Sequence, residues 1–505
     1  AVMEKSWAYR QDQLPSTHPI VADIPDLDAV RVNFDGITYA KGGSVLKQLG
    51  AWVGQDQFLA GVSNYFKKHQ YSNTELVDLL VELEKTSGRD LSTWSKLWLE
   101  TAGVNTLRPA IETDASGVIT GFAIEQSAPN EWPTLRPHRM AVGFYNLRGG
   151  KLVREDRVEF DVDGARTDVA ELVGKKRPDL VLINDDDLAY AKIRLDEASL
   201  RVAIENLRNI EDPLARSLVW GSVWDATRDA EVPGRDFIDL VLGNIATETE
   251  STVIRTVLGQ LQTVASSYVS PATRTAQVTR VADALWELTQ NAEAGSDLQF
   301  QLLRNFAALA STDEQLDAVA ALRAGQIQLA GLDIDTDLGW ELLISLAAGG
   351  RSSIEAIDEY LATDNTATGA QSAAHAKAAL NHLDDKQRAW DSVFVDDTAA
   401  NTIVRTTGLG FLRVNDPSLL QPFISQYFES IERVWASRSY AIAETLVESY
   451  YPSPLVNEDL ANATRTYLAT HTPDAPLRRL VVENLAGVER CLAAQARDRQ
   501  VDEEA

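Results

Sequence analysis

Tyr39 is the residue of this chain whose setting singles it out for chemistry. It lies in Asn33-Phe34-Asp35-Gly36-Ile37-Thr38-Tyr39-Ala40-Lys41-Gly42-Gly43-Ser44-Val45-Leu46, at the mouth of a helix, with a lysine and a glycine pair behind it. Apolar periodicity follows only after that. Glycine costs about 1 kcal/mol in a helix interior relative to alanine, so the pair predicts close approach by another part of the protein. By spacing alone, Tyr39 reads first as an aromatic that packs at a helix start.

Other chemistries lack their residues. A zinc hydrolase needs two imidazoles four apart on a helix, so that both meet one ion. The six histidines are His18, His69, His138, His375, His382 and His471, and no two have that spacing. His375 and His382 read as sharing a helix face, too far apart for one ion, and as ordinary surface residues. There is no Gly-x-Ser-x-Gly elbow and no phosphate loop ending in Gly-Lys-Ser/Thr. Gly408-Leu409-Gly410 lacks the third glycine of a dinucleotide loop and reads as a turn. Asp185-Asp186-Asp187 could bind a cation but reads more simply as a solvated hairpin tip. Asn462-Ala463-Thr464 matches a glycosylation acceptor, which means little without a secretory context. The pairs Trp94/Trp98 and Trp220/Trp224 are explained by helix packing.

A chain of 505 residues exceeds one core, so two to four domains are expected. Lys and Arg number 47 against 74 Asp and Glu, a net charge of −27. That balance argues against nucleic acid and membrane as partners, since both anionic surfaces need cationic ones. Cys491 is the single cysteine. It leaves no intramolecular disulfide and no cysteine metal cluster, and it fits a cytoplasmic protein. No run approaches the ~20 apolar residues of a membrane span. The start, Ala1-Val2-Met3-Glu4-Lys5-Ser6-Trp7, has no signal-peptide pattern. Met stands third there, as it would in a fragment.

The elements that must position Tyr39 follow from periodicity. Residues 1–32 read as irregular, with prolines breaking any long element and Asp23-Ile24-Pro25-Asp26 among the breaks. Helices are predicted from Gly36 through Val45, Leu49 and Val53; after Asp56 with Phe58, Leu59, Val62 and Phe66 on one face; after the capping signal Ser72-Asn73-Thr74-Glu75; and after Asp90. From Gly103 the period changes. Short strands flank turn signals at Asp114–Gly117, Arg148–Gly150 and Asp185–Asp187 and suggest a small antiparallel β-sandwich. From Glu197 on, single apolar stripes such as Leu302, Leu303, Phe306 and Leu309 predict helix after helix, with Asp212-Pro213 opening one. Stacked helical hairpins in a solenoid would bury them. The last residues, 501–505, are expected to fray.

The stretch from Phe34 to Leu46 resembles a motif of the M1 zinc aminopeptidases, the aminopeptidase N group: Phe-Asp-x-Ile-x-Tyr-x-Lys-Gly-Ala-x-Val. It departs only at Gly43, where the family usually has Ala. Ser16-Thr17-His18-Pro19-Ile20, Trp98-Leu99-Glu100-Thr101-Ala102-Gly103 and Leu182-Ile183-Asn184-Asp185-Asp186-Asp187-Leu188-Ala189-Tyr190 are similar to further family phrases. The last of these matches the final hairpin of the family's β-domain. The style is closest to the actinobacterial enzymes.

The resemblance implies a mainly α fold with a small β domain. Residues 1–102 would be the helical part of a thermolysin-like peptidase domain, 103–196 a β-sandwich, and 197–505 an α-helical, solenoid-like (HEAT/ARM-like) domain. It implies zinc-activated hydrolysis of N-terminal residues from peptide substrates, with Tyr39 stabilising the oxyanion. It also implies an absence. The His-Glu-x-x-His zinc helix, the third ligand Glu and the Gly-x-Met-x-Asn motif lie upstream of the Tyr motif in the family, and none occurs in this sequence. The expectation is a C-terminal portion whose zinc ligands belong to the missing N-terminal part, which leaves an exposed apolar face and no activity alone. The alternative is a non-catalytic α-solenoid scaffold that binds peptides or a protein.

Overall fold

The computed structural model describes residues 2–25, 27, 30 and 33–504. The chain divides into two compact units, Ala1–Ala226 and Thr227–Ala505. It is 61% helical with small sheets.

The first unit opens with a helix, α1 (Val2–Asp12), where irregular chain was expected. Pro15, Pro19 and Pro25 all follow Asp12, so nothing in α1 removes a helical N–H. Asp26 lies outside the described residues. A π-helical turn, Ile37–Lys41, leads into α2 (Gly42–Val53). Then come α3 (Gln55–Lys68), α4 (Leu76–Ser87) and α5 (Ser92–Leu99). Helix α4 starts later than the capping signal suggests. The Glu75 N–H donates to the Asp78 carboxylate at 2.9 Å, whereas the Ser72 hydroxyl turns back to the His69 carbonyl. Gly88 ends α4 at φ +70°, in the left-handed conformation that glycine adopts freely.

The apolar face predicted for α3 is not buried: Leu59 and Phe66 are exposed, and only Gly61 of the helix is buried. A Cβ on Gly61 would lie 2.7 Å from Leu83, so α4 crosses α3 at that glycine.

Seven strands follow: β1 (Thr106–Thr113), β2 (Ile119–Ser127), β3 (His138–Arg148), β4 (Lys151–Val162), β5 (Arg166–Asp168), β6 (Leu180–Ile183) and β7 (Lys192–Ile193). They form a sheet of order β5-β2-β1-β7 and a sheet of order β4-β3-β6. Phe122 of the first meets Phe144 of the second at 6.4 Å. The β1–β2 and β3–β4 hairpins turn where the sequence signals them. Gly149 and Gly150 sit at φ +58° and +83°, as a mirror-image turn needs.

The third predicted hairpin does not form. Strand β6 pairs with β3, and β7 runs parallel to β1 in the other sheet. Asp185–Asp187 carries the chain between the sheets and is no solvated tip, since Asp185 and Asp187 are buried. Asp187 meets Lys5 at 2.5 Å and Lys47 at 2.8 Å. Arg154 bridges Asp185 at 3.0 Å and Asp186 at 2.8 Å. Charges stay buried only when paired in this way. Burial still holds the Asp185 carboxyl above its usual range, against the pull of Arg154. Helices α6 (Glu197–Asn206) and α7 (Pro213–Arg228) follow, the latter capped by Asp212 accepting the Leu214 N–H at 3.0 Å.

The second unit is built of α-helices from Gly234–Asn244 to Ala475–Glu504. The expected frayed tail therefore stays helical to Glu504, and Ala505 lies outside the described residues. Its aromatic core stacks Trp390 on Phe394 at 3.8 Å and sets Phe411 against Phe423 at 4.9 Å.

Gly408 and Gly410 are no turn. They lie inside the helix Asn401–Phe411, where a Cβ on Gly410 would stand 2.1 Å from the His375 carbonyl. Two helices thus touch backbone to backbone at that point. His375 and His382 do not share a helix either: His375 lies within Ala367–Ala379, and His382 precedes the next helix. His375 is only partly exposed, and burial, followed by Arg413 and Lys386, lowers its pKa to about 4. Thr464, of the glycosylation-like triplet, is buried and bonded to Tyr451.

Candidate active-site segment around Tyr39

The segment that carries Tyr39 is fastened at both ends. At its start, Asp35 accepts the Ile37 and Thr38 N–H groups at 2.9 and 3.0 Å. Its other oxygen meets His18 Nε2 at 2.7 Å, and His18 Nδ1 meets the Pro19 carbonyl at 2.7 Å. Both ring nitrogens thus face acceptors, an arrangement that favours the protonated ring with its two N–H donors. The Asp35 hydrogen bond raises the His18 pKa against the cost of burial. Burial pushes the Asp35 carboxyl up, but His18 and the two N–H groups outweigh it and hold it below its usual value.

At its far end, Lys41 is fully buried and pairs with Asp12 at 2.8 Å. The ammonium also donates to the Gly103 carbonyl at 3.1 Å and lies 5.7 Å from the Tyr190 ring centre. Asp12 in turn accepts from Thr17 at 2.8 Å, the Gly103 N–H at 2.9 Å and the Tyr190 hydroxyl at 3.2 Å. Burial, despite Asp12, leaves the Lys41 pKa below its usual value.

Between these anchors the backbone is π-helical, with the Lys41 N–H donating to the Gly36 carbonyl at 2.9 Å. Single π turns recur at functional sites because they re-aim one side chain within a helix. In this one Ile37, Ala40 and Lys41 face inward and Thr38 and Tyr39 face outward. Tyr39 is 50% exposed, its ring lies 4.6 Å from that of Phe34, and its hydroxyl has no hydrogen-bond partner among the described residues.

The tight approach expected at Gly42-Gly43 is not made by the described residues: a Cβ on Gly42 would meet Ile37 and Ile20 at an ordinary 3.7 and 4.0 Å, and nothing lies within 4 Å of one on Gly43. The tight glycine is Gly36, whose Cβ would lie 3.2 Å from Trp7. Thirteen of the twenty large hydrophobic residues that stand exposed among the described residues fall between Trp7 and Val77. Phe34, Tyr39 and Leu46 are among them. Zinc does not fit these residues: no group of three or more His, Cys, Asp or Glu among the described residues could hold a metal ion. Asp12 and Lys41 were missed by sequence reasoning. The available signal was a lysine set among inward-facing apolar positions.

Residues 2–98 match the peptidase family M1 domain, and residues 180–490 match the ERAP1-like C-terminal domain. The chain belongs to the M1 peptidase family. It is 51% identical to aminopeptidase N of Streptomyces lividans over 98% of its own length and 58% of that relative's. It is 35% identical to the tricorn protease-interacting factor F2 of Thermoplasma volcanium over 26% of this chain and 17% of the relative. With aminopeptidase 2 of Candida albicans the identity is 39% over 18% of this chain and 10% of the relative. The chain thus spans little more than half of the length of the Streptomyces relative. No helix among the described residues is long and apolar enough to cross a membrane.

Proposed function

We propose that this protein is the C-terminal portion of a cytoplasmic zinc aminopeptidase that removes N-terminal residues from peptides. The observation that carries the reading is the M1-matched segment that presents Tyr39 outward, with a free hydroxyl, from a doubly anchored π turn. The 51% identity to an aminopeptidase N along nearly the whole chain supports it. When a water adds to the scissile carbonyl, the oxygen gains negative charge. The Tyr39 hydroxyl donates a hydrogen bond to it, and a positioned donor of this kind is worth about 3–4 kcal/mol in the transition state. The metal ligands and the group that binds the substrate's amino terminus would come from residues outside these 505. Residues 1–102 would supply the helical part of the peptidase domain and 103–196 the β-sandwich. The solenoid-like helices of 197–505 would restrict access to peptide ends.

The alternative, a scaffold that binds without hydrolysis, draws on the lack of a metal-ligating group among the described residues. An aminoacyl-p-nitroanilide assay separates the two. The 505-residue chain with added zinc should give no turnover, and the same chain joined to an M1 zinc-binding half should hydrolyse the substrate. A joined, zinc-loaded and folded protein that stays inactive would leave the scaffold reading in possession.

A further inference from the structure

We infer that His18 is a positioning residue for the Tyr39 hydroxyl, acting through Asp35, and that it makes the placement of that hydroxyl depend on pH. The inference rests on the reading of Tyr39 as the oxyanion donor and adds to it the group that aims the donor.

Tyr39 does not aim itself. Its ring is 50% exposed and lies against that of Phe34, which is 65% exposed. Its hydroxyl has no hydrogen-bond partner among the described residues. The reach of the hydroxyl is therefore set by the backbone of the π turn, and that backbone hangs on Asp35. One oxygen of the Asp35 carboxylate, Oδ1, accepts the Ile37 and Thr38 N–H groups at 2.9 and 3.0 Å. The Asp35 carbonyl accepts the Tyr39 N–H at 3.2 Å. One residue thus takes the first three donors of the turn, the last of them on Tyr39. His18 Nε2 holds the other carboxylate oxygen at 2.7 Å and so keeps Oδ1 turned toward the N–H groups. His18 is itself pinned through Nδ1 to the Pro19 carbonyl, at 2.7 Å. The relay runs from the Pro19 carbonyl through His18 and Asp35 to the turn, and it joins residues 17 positions apart.

Water reaches the two anchors of the turn differently. The Lys41 and Asp12 side chains are fully buried, whereas those of His18 and Asp35 are 22% and 14% exposed. The His18 anchor can therefore exchange protons with solvent. A protonated ring donates to both acceptors; a neutral ring has one N–H and leaves one acceptor facing a lone pair. The charged groups that act on the ring are Asp35, which favours protonation, and Lys41, which opposes it. The Asp35 hydrogen bond outweighs burial and Lys41, so the His18 pKa stands above its ordinary value. As pH rises through that pKa, the relay loses one of its two bonds and its grip on the carboxylate. A displacement of about 1 Å at a reacting centre can cost 10²-fold in rate.

The test uses an active enzyme carrying these 505 residues, together with the 505-residue chain itself. His18→Leu removes both bonds, and His18→Gln keeps one neutral donor. In the enzyme, His18→Leu should lower kcat about tenfold or more with KM little changed, and His18→Gln should lie between. The ratio of wild-type to His18→Gln kcat should be largest below about pH 6.5 and narrow as pH rises, since glutamine does not titrate. In a Tyr39→Phe background His18→Leu should cost little more, because no hydroxyl is left to place. In the chain itself, deuterium exchange at the Ile37 and Thr38 amides should quicken about tenfold in His18→Leu, while the amides of α4 and α5 stay protected. Should His18→Leu not fold, His18→Gln gives the same readings at smaller size. A near-normal kcat in folded His18→Leu beside an impaired Tyr39→Phe would overturn this inference and leave the reading of Tyr39 standing. Losses that multiply in the double variant, a ratio flat with pH, or unchanged exchange at Ile37 and Thr38 would overturn it as well. A near-normal Tyr39→Phe would remove both.

Discussion

Asp12 and Lys41 lie 2.8 Å apart with both side chains fully buried, so the residue two positions after Tyr39 is tied to the end of helix α1. Removing one partner of such a pair leaves a bare charge in the core, which costs about 3–5 kcal/mol. Lys41→Met and Asp12→Ala should each lose that much in urea unfolding of the first unit. Removing both should cost less than the sum, because no stranded charge remains. Additive losses would mean that the two residues act independently.

The His18–Asp35 bond gives the first unit a pH dependence whose sign is fixed. The folded His18 pKa is raised above 6.5. Its contribution is therefore complete below about pH 6.5 and is lost as pH rises through the folded value. Thermal midpoints should fall over that interval, and His18→Gln should remove this component of the fall.

His138 works the other way. Burial, with help from Arg136 and Lys5, depresses its pKa to about 3, so it is neutral when folded. Unfolded chains bind the proton below pH 6.5, so stability is lost as pH drops from there toward 3. His138→Gln keeps a neutral polar group that can face Gln126 and should flatten the acid limb. An unchanged limb would assign acid sensitivity to other groups.

Gly410 allows two helices of the second unit to touch, with the His375 carbonyl 2.1 Å from where a Cβ would stand. Alanine there forces backbone apart rather than a flexible side chain, so Gly410→Ala should destabilise by about 1–3 kcal/mol or more. Gly43, with open space around it, should accept alanine at no cost and even gain stability from helix propensity. Chemical denaturation of the two variants compares them directly.

Much of this arrangement was legible in the sequence because it is local. The stripes behind α2, α4 and α5 and the turns at Asp114–Gly117 and Gly149-Gly150 follow from short-range spacing, whereas the outward tyrosine was marked only by the resemblance of its motif. What escaped depends on distant partners. Lys41 meets Asp12 across the first helix and its loop, and Asp187 meets Lys5, 182 positions away. A run of three aspartates therefore read as solvated when it is the charged core of the first unit. Gly408 and Gly410 read as a turn because the close helix that requires them lies elsewhere in the chain. The stripe on α3 was legible as an apolar face, but periodicity does not report what covers it, and Leu59 and Phe66 stand exposed.

Steady-state kinetics of Tyr39→Phe tests the central claim most directly. In an active enzyme carrying these 505 residues, loss of the hydroxyl should lower kcat 10²-fold or more with KM little changed, because the bond is made to the oxyanion and not to the bound peptide. A near-normal kcat would contradict the account and leave Tyr39 as an aromatic that packs on Phe34.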